Sequence, residues 1–381
     1  MDRNKRQRKP AIEGDTSSLP CEIVYNILSR LPVKSLMRFQ CICKPWHAVI
    51  SDPEFAKTHF SLNPRQRLLC SDSSGSFYSI DYESSCPAYS RKYSREERIL
   101  FQLKNDDSID CEERIFFPLK KDPKTQVLCS CNGLVLLRLH DDKKYALWNP
   151  STRAYKEFLC PYDIYFFSLW GLCYDSSNHD YKVVLIQFYD PRLLLVYNLK
   201  SNSWKKIREF PCSIIGGDKY GGVIMNGNLH WVVVKGSEDI KSRAIVCFDL
   251  IEDEFKEVPQ PNFGVVKIKF HVNIMGGCLC VYRDMSLNEI EDRFEVWVMK
   301  EYGMENSWTK LFIIPRKRSL YHLKILCFTK KGEVVMAANK ERLVIYNPKE
   351  KKFGNLMKLK GDTRVTLTAI SYLDTLVSPS W

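Results

Sequence analysis

The chain has 381 residues, 45% of them apolar and 12% aromatic, and a formal net charge of +12. That length exceeds one ordinary domain and suits two, and the aromatic share favours β structure. No apolar run approaches the ~18 residues of a transmembrane helix, and a charged N-terminus with no apolar stretch behind it argues against a secretory leader, so neither membrane nor export is expected.

The first ten residues hold five basic side chains and one Asp. The run Lys5-Arg6-Gln7-Arg8-Lys9 is compatible with a nuclear import signal, but a solvated, disordered basic tail over residues 1–16 is the preferred reading. The remaining positive excess is spread along the chain, which is not the footprint of a nucleic-acid site.

Residues 17–60 read as short helices. Ser18 suits an N-cap and Pro20 a first helical turn. Ile23, Val24, Ile27, Leu28 and Leu31 share a helical face, and Pro32 stops the helix. Leu36, Phe39, Cys43, Trp46 and Ile50 then follow at steps of three and four, with Pro45 dividing them into two helices. Asp52-Pro53-Glu54 predicts one more start, with Phe55 and His59 on a common face. So short a segment cannot bury this much apolar surface on itself. Either the rest of the chain or a partner must meet it.

From residue 61 onward an internal repeat appears. Trp148, Tyr197, Phe248, Trp297 and Tyr346 recur at intervals of 49, 51, 49 and 49 residues. All but Trp297 are followed seven residues later by another aromatic: Tyr155, Trp204, Phe255 and Phe353. For Trp297 the follower is Trp308, at eleven. Asn149, Asn198, Asp249 and Asn347 open the intervening turns, since their side chains can bond the backbone ahead. Each unit is therefore a β-hairpin, and apolar glycine-containing segments precede most of them, as at Cys131–Leu137, Asn226–Trp231 and Gly276–Tyr282. Four short strands per roughly fifty residues is the period of a kelch-like propeller blade. Six blades are expected, with five or seven open. Gly75–Asp81 gives a further hairpin and 83–124 a charged insertion. Gly216-Gly217 and Gly221-Gly222 read as a loop, and a strand near Arg364–Ser371 closes the ring. Candidate target-binding loops are residues 83–124, 161–170, 235–243, 283–293 and 316–321.

No enzymatic constellation stands out. The fifteen cysteines are odd in number and mostly sit in apolar runs, so small buried residues in a reducing compartment are expected rather than disulfides or metal ligands. No Cys-x-x-Cys occurs, the seven histidines lack ligand spacing, and His230 beside Trp231 reads as a core histidine. No nucleotide-binding glycine motif or hydrolase elbow is present. No catalytic residue, metal or cofactor is assigned.

Two stretches resemble known families. Leu19-Pro20-x-Glu22-Ile23-Val24-x-x-Ile27-Leu28-Ser29-Arg30-Leu31-Pro32-Val33-Lys34-Ser35-Leu36-x-Arg38-Phe39, then Cys43-Lys44-x-Trp46 and Ile50-Ser51-Asp52-Pro53-x-Phe55, resembles the F-box. Trp148-Asn149-Pro150-Ser151-Thr152-Arg153, Gly171-Leu172-x-Tyr174-Asp175, Asp180 to Val184, Asn228-Leu229-His230-Trp231, Ser307 to Lys310 and Ser371 to Pro379 resemble the plant F-box-associated domain. The resemblance implies a small all-α F-box at 17–60 and an all-β, kelch-like propeller of about six blades at 61–381. It implies a non-catalytic substrate receptor of an SCF-type ubiquitin ligase, located in cytoplasm or nucleus. Leu19, Pro20, Ile23, Ile27, Leu28, Leu31, Pro32, Leu36 and Trp46 fall on motif positions for binding the Skp adaptor and, through it, cullin and RING subunits. Some of them contact the adaptor and others hold the helices together. The alternatives are a propeller enzyme with an appended helical segment, and a scaffold that binds the adaptor without degrading anything.

Overall fold

The computed structural model describes residues 20–72, 75–83, 112–115, 122–140, 143–162, 169–187, 192–207, 214–217, 220–236, 241–263, 269–284, 293–315, 320, 323–358 and 368–380. The basic tail and large parts of the five candidate loops lie outside them. The chain forms two compact units, one ending at Asn63 and one starting at Pro64.

The first unit contains four helices: α1 (Cys21–Leu28), α2 (Val33–Phe39), α3 (Lys44–Ile50) and α4 (Pro53–Leu62). Helix α1 ends earlier than the apolar pattern suggests. The carbonyls of Ser29 and Leu31 are bonded by α4 and its C-cap: Asn63 Nδ2 donates to the first at 2.7 Å and His59 Nε2 to the second at 2.7 Å. Pro32 then begins α2. Pro45 does separate α2 from α3, but without bending a helix, because it lies in the first turn of α3 where its missing N–H has no partner to lose. Asp52 caps α4 by accepting from the Glu54 N–H at 2.7 Å. Phe39 meets Trp46 edge-on at 5.4 Å, and Tyr25 meets Phe55 at 5.1 Å.

The second unit is a propeller of six blades, four of them four-stranded and two, the third and fourth, with a fifth short strand added on the inner side. Blade 1 takes Gln66–Ser71, Phe77–Ile80 and Glu112–Ile115 as its second to fourth strands. Blade 2 runs from Gln126–Cys131 to Tyr155–Leu159, blade 3 from Leu169–Asp175 to Ser203–Ile207, and blade 4 from Ile214–Gly217 to Glu254–Val258. Blade 5 runs from Phe270–Met275 to Trp308–Pro315 and blade 6 from Leu323–Phe328 to Lys352–Lys358. The innermost strand of blade 1 comes from the far end of the chain. Thr368–Leu373 pairs antiparallel with Gln66–Ser71, in register from Gln66↔Leu373 to Ser71↔Thr368. This is the expected ring closure, which covers an edge that would otherwise pair with another chain.

Six apolar clusters sit at the six seams between neighbouring blades. The repeating aromatics feed them. Trp148, Tyr197, Phe248 and Tyr346 are all buried, and each faces its follower directly across a hairpin: Tyr155, Trp204, Phe255 and Phe353. Asn149, Asp249 and Asn347 accept backbone N–H bonds two residues on, at 2.8, 3.0 and 3.0 Å.

Blade 5 departs from the sequence pattern. A bulge follows Val296, Trp297 pairs with Lys310, and the residue facing Trp308 is Met299. Met299 is 1% exposed and occupies the blade 4–5 seam, while Trp297 is half-buried. The structural repeat therefore passes through Met299 there, with a short 3-10 helix at Glu305–Ser307 filling the longer turn. Three further expectations are corrected. Residues read as a charged insertion include the strand Glu112–Ile115. The 75–81 hairpin is wider than read, its first strand being Gln66–Ser71. The double-glycine stretch is strand rather than loop: Ile214–Gly217 and Val223–Met225 pair with Asn228–Gly236, and Tyr220–Gly221 between them pairs in parallel with blade 3.

Candidate binding sites

The nine motif residues of the helical unit divide by burial. Leu19 lies outside the described residues. Leu28 and Leu36 are 1% and 0% exposed, so they hold the helices together. Leu31, Pro32 and Trp46 are half-buried and Pro20 is exposed. Ile23 and Ile27, one turn apart on α1, are 46% and 48% exposed, although isoleucine is among the residue types most often buried. Ile42, after α2, is 60% exposed; the three-four spacing of its neighbours had skipped it. An exposed pair at i and i+4 is a ready-made hydrophobic face for a partner helix or groove.

The propeller encloses a cavity of about 710 Å³, walled by inner strands from all six blades. Its wall is tied together by indoles. Trp170 Nε1 donates to the Leu128 carbonyl at 3.0 Å, bridging blades 3 and 2, and Trp231 Nε1 donates to the Trp170 carbonyl at 3.0 Å, bridging blades 4 and 3. This packing explains the glycines of the crossing strand. A Cβ at Gly222 would lie 2.7 Å from the Trp231 ring, and one at Gly221 would lie 3.0 Å from Trp170 Nε1. Asn273 Nδ2 donates to the Ile325 carbonyl at 3.1 Å, joining blades 5 and 6. Lys324 is the sole Lys or Arg among the described lining residues, which include no Asp or Glu. Lys324 is half-buried, and burial lowers its pKa.

Two buried acids elsewhere, Asp175 and Glu295, are held by cations. Asp175 Oδ2 pairs with Lys182 Nζ at 2.8 Å. Burial alone would raise its pKa, but the bonds from Lys182 and Asn178 hold it well below the usual carboxylate range. Glu295, 1% exposed, is held by Arg283 Nε at 2.8 Å and Lys310 Nζ at 2.9 Å. These are ion-pair centres at blade strands, without the paired carboxylates of a hydrolytic site. Among the described residues no group of three or more His, Cys, Asp or Glu could hold a metal. Cys131 and Cys280 are buried with thiols pushed up to about 12, so they are protonated and inert. His230 is fully buried; its Nδ1 lies 3.2 Å from the Asn228 carbonyl and its Nε2 lies 2.6 Å from the Tyr302 hydroxyl, which fits a core histidine.

Comparison with known proteins agrees with both units. Residues 16–58 match the F-box domain, and residues 71–379 match the F-box associated beta propeller domain. The F-box/kelch-repeat protein At3g23880 of Arabidopsis thaliana is 30% identical over 379 residues, covering 95% of this chain and 96% of that protein. F-box protein CPR1 of Arabidopsis thaliana is also 30% identical, covering 89% of this chain and 84% of its own length. F-box protein At3g07870 of the same plant is 26% identical, with 91% and 89% coverage. The chain thus belongs to the F-box proteins that carry an F-box-associated β-propeller, the family of these Arabidopsis relatives.

Proposed function

We propose that this protein is the substrate-recognition subunit of an SCF-type ubiquitin ligase. The F-box helices bind a Skp adaptor, which links the chain to cullin and RING subunits, and the propeller holds a target protein. The observation that carries this reading is the exposed Ile23–Ile27 face on a helix matching the F-box. The work is proximity: a target held beside a charged ubiquitin-conjugating enzyme presents its lysines at high effective concentration, and the chain itself performs no chemistry. Ubiquitination then leads to proteasomal degradation, in the cytoplasm or nucleus. No helix among the described residues is long and apolar enough to cross a membrane.

Adaptor capture tests the docking step. The Ile23→Asp, Ile27→Asp double variant is the right probe because both side chains are exposed, whereas aspartate at Leu36 would disrupt the core. Wild type should retain a Skp adaptor on the affinity resin and the folded double variant should not. Equal capture by both would sink the docking face. Target half-life, compared with and without the protein, separates degradation from scaffolding: an unchanged half-life favours the scaffold.

A further inference from the structure

In blades 2 to 6, the turns joining first to second and third to fourth strands leave the sheets at one rim, opposite the connections between second and third strands and between blades. On that rim, the third-to-fourth turns of blades 2, 3 and 6, at 149–154, 199–202 and 348–351, expose no large apolar side chain. Blades 4 and 5 differ. Ile251, at the tip of the blade 4 turn, is 75% exposed, and Tyr302 and Met304, in the longer turn of blade 5, are 39% and 55% exposed. Isolated exposed apolar side chains are ordinary on a surface, but these stand on neighbouring hairpins of one rim, a patch of the kind that marks an interface.

The patch is held rigidly. Tyr302 belongs to blade 5 yet reaches blade 4. Its hydroxyl lies 2.6 Å from Nε2 of the buried His230, its ring meets the imidazole edge-on at 5.6 Å, and the Cys247 thiol engages the same hydroxyl. Cys247 stands on the blade 4 strand Lys241–Asp249, which ends just before the Ile251 turn. The blade 5 turn is braced from within. The Gly303 N–H donates to the Met299 sulfur at 3.1 Å, the Met304 N–H to the Glu301 carbonyl at 3.1 Å, and Ser307 Oγ to the Met304 carbonyl at 2.7 Å. A tyrosine and a methionine fixed before a partner arrives lose little entropy on binding, which is how a few side chains come to dominate an interface.

Charge selects the occupant. The Lys256 ammonium is shared by Asp249 at 2.9 Å and Glu252 at 2.6 Å, and Lys205 pairs with Asp253. Glu254, Glu301 and Glu305 are exposed and have no cationic partner among the described residues, while Lys300 is the one basic side chain of the blade 5 turn. The rim is thus locally acidic on a chain whose formal net charge is +12. We infer that this rim, at Ile251, Tyr302 and Met304, docks a segment of the protein target whose apolar side chains are flanked by Lys or Arg, the cations pairing with Glu301 and Glu305. This deepens the substrate-receptor reading and rests on it. The apolar contact supplies most of the affinity, and the exposed ion pairs supply orientation and selectivity for a basic segment.

The test uses the full-length protein and a blocked Arg-Leu-Gly-Leu-Arg peptide as probe, with blocked Glu-Leu-Gly-Leu-Glu and Arg-Gly-Gly-Gly-Arg as controls, read by titration calorimetry. The probe should bind wild type, and neither control should match it. The Ile251→Ser, Met304→Ser variant should bind the probe about tenfold more weakly than wild type, and the Glu301→Gln, Glu305→Gln variant about fivefold, the sizes expected for partial burial of two apolar side chains and for two exposed ion pairs. All four residues are exposed, so both variants are expected to keep the wild-type thermal transition. Absence of probe binding, a control that binds as tightly as the probe, or indifference to either variant would overturn the inference. If sedimentation shows wild type to self-associate and the Ile251→Ser, Met304→Ser variant to be monomeric, the face joins copies of this chain and the inference is likewise overturned. Adaptor capture by the same preparation reads the receptor role separately, so a failure of the peptide with capture intact sinks only the rim site.

Discussion

Helix α1 and the inner strands of the propeller treat the same kind of side chain in opposite ways. In α1, Ile23 and Ile27 are nearly half exposed, while in the propeller Val135, Leu136 and Leu137 on a single strand have no exposure at all. The difference lies in closure. A propeller strand has blades against both of its faces, and its ring leaves no inner edge. Four short helices enclose too little volume to hide their apolar side chains, and what they cannot hide is available to a partner.

The strongest way to break this contrast is Leu36→Asp. It places a carboxylate at a fully buried site in the smaller unit, at an expected cost above about 4 kcal/mol. The helical circular dichroism should be lost while the propeller transition stays in place; a propeller that melts with it would show that the two units fold as one. Next comes Phe248→Ala at the blade 3–4 seam, where a fully buried ring is removed. It should lower propeller stability by about 3–5 kcal/mol in chemical denaturation and leave adaptor capture unchanged.

Acid should then act on the propeller through His230. Burial holds its imidazole down at about 4, against an ordinary 6.5, despite the Asn228 and Val223 backbone bonds that push the other way. The unfolded chain takes up this proton as pH falls through about 6.5, and the folded protein only near 4. The stability that depends on the neutral ring is thus whole above 6.5 and lost on the way down to 4, to the extent of ~3 kcal/mol. Denaturation midpoints across that window should fall less steeply in His230→Gln than in wild type. The smallest stability effect belongs to the Ile23→Asp, Ile27→Asp variant. Both residues are exposed, so unfolding free energy should move by no more than about 0.5 kcal/mol even as adaptor capture is lost.

The parts of the fold legible in the sequence are those where one residue type does one job. Trp148, Tyr197, Phe248 and Tyr346 could be counted because each fills a seam and faces an aromatic across a hairpin. In blade 5 a methionine fills the seam and a tryptophan stands two residues before it, so the aromatic period pointed at the wrong position. Gly221 and Gly222 resembled a loop because their reason is the bulk of Trp170 and Trp231, distant in sequence. On α1 the helical period gave the apolar side chains but not their division, since Ile27 and Leu28 are equally apolar and only packing exposes one and buries the other. Lys324 carried no signal at all. It is one lysine among 57 basic residues until the ring brings its strand to the cavity wall.

The ring closure also sets a timetable. Thr368–Leu373 supplies the innermost strand of the blade that begins at Gln66, so blade 1 cannot be completed until residue 373 has left the ribosome. The F-box helices emerge first and are free to fold while the propeller is still an open series of blades. A message cut short before residue 368 would yield a protein able to form its F-box helices but not a closed propeller ring. On the receptor role proposed above, such a product would compete for adaptor and deliver nothing, so a late truncation is expected to be more disruptive to the cell than loss of the entire chain.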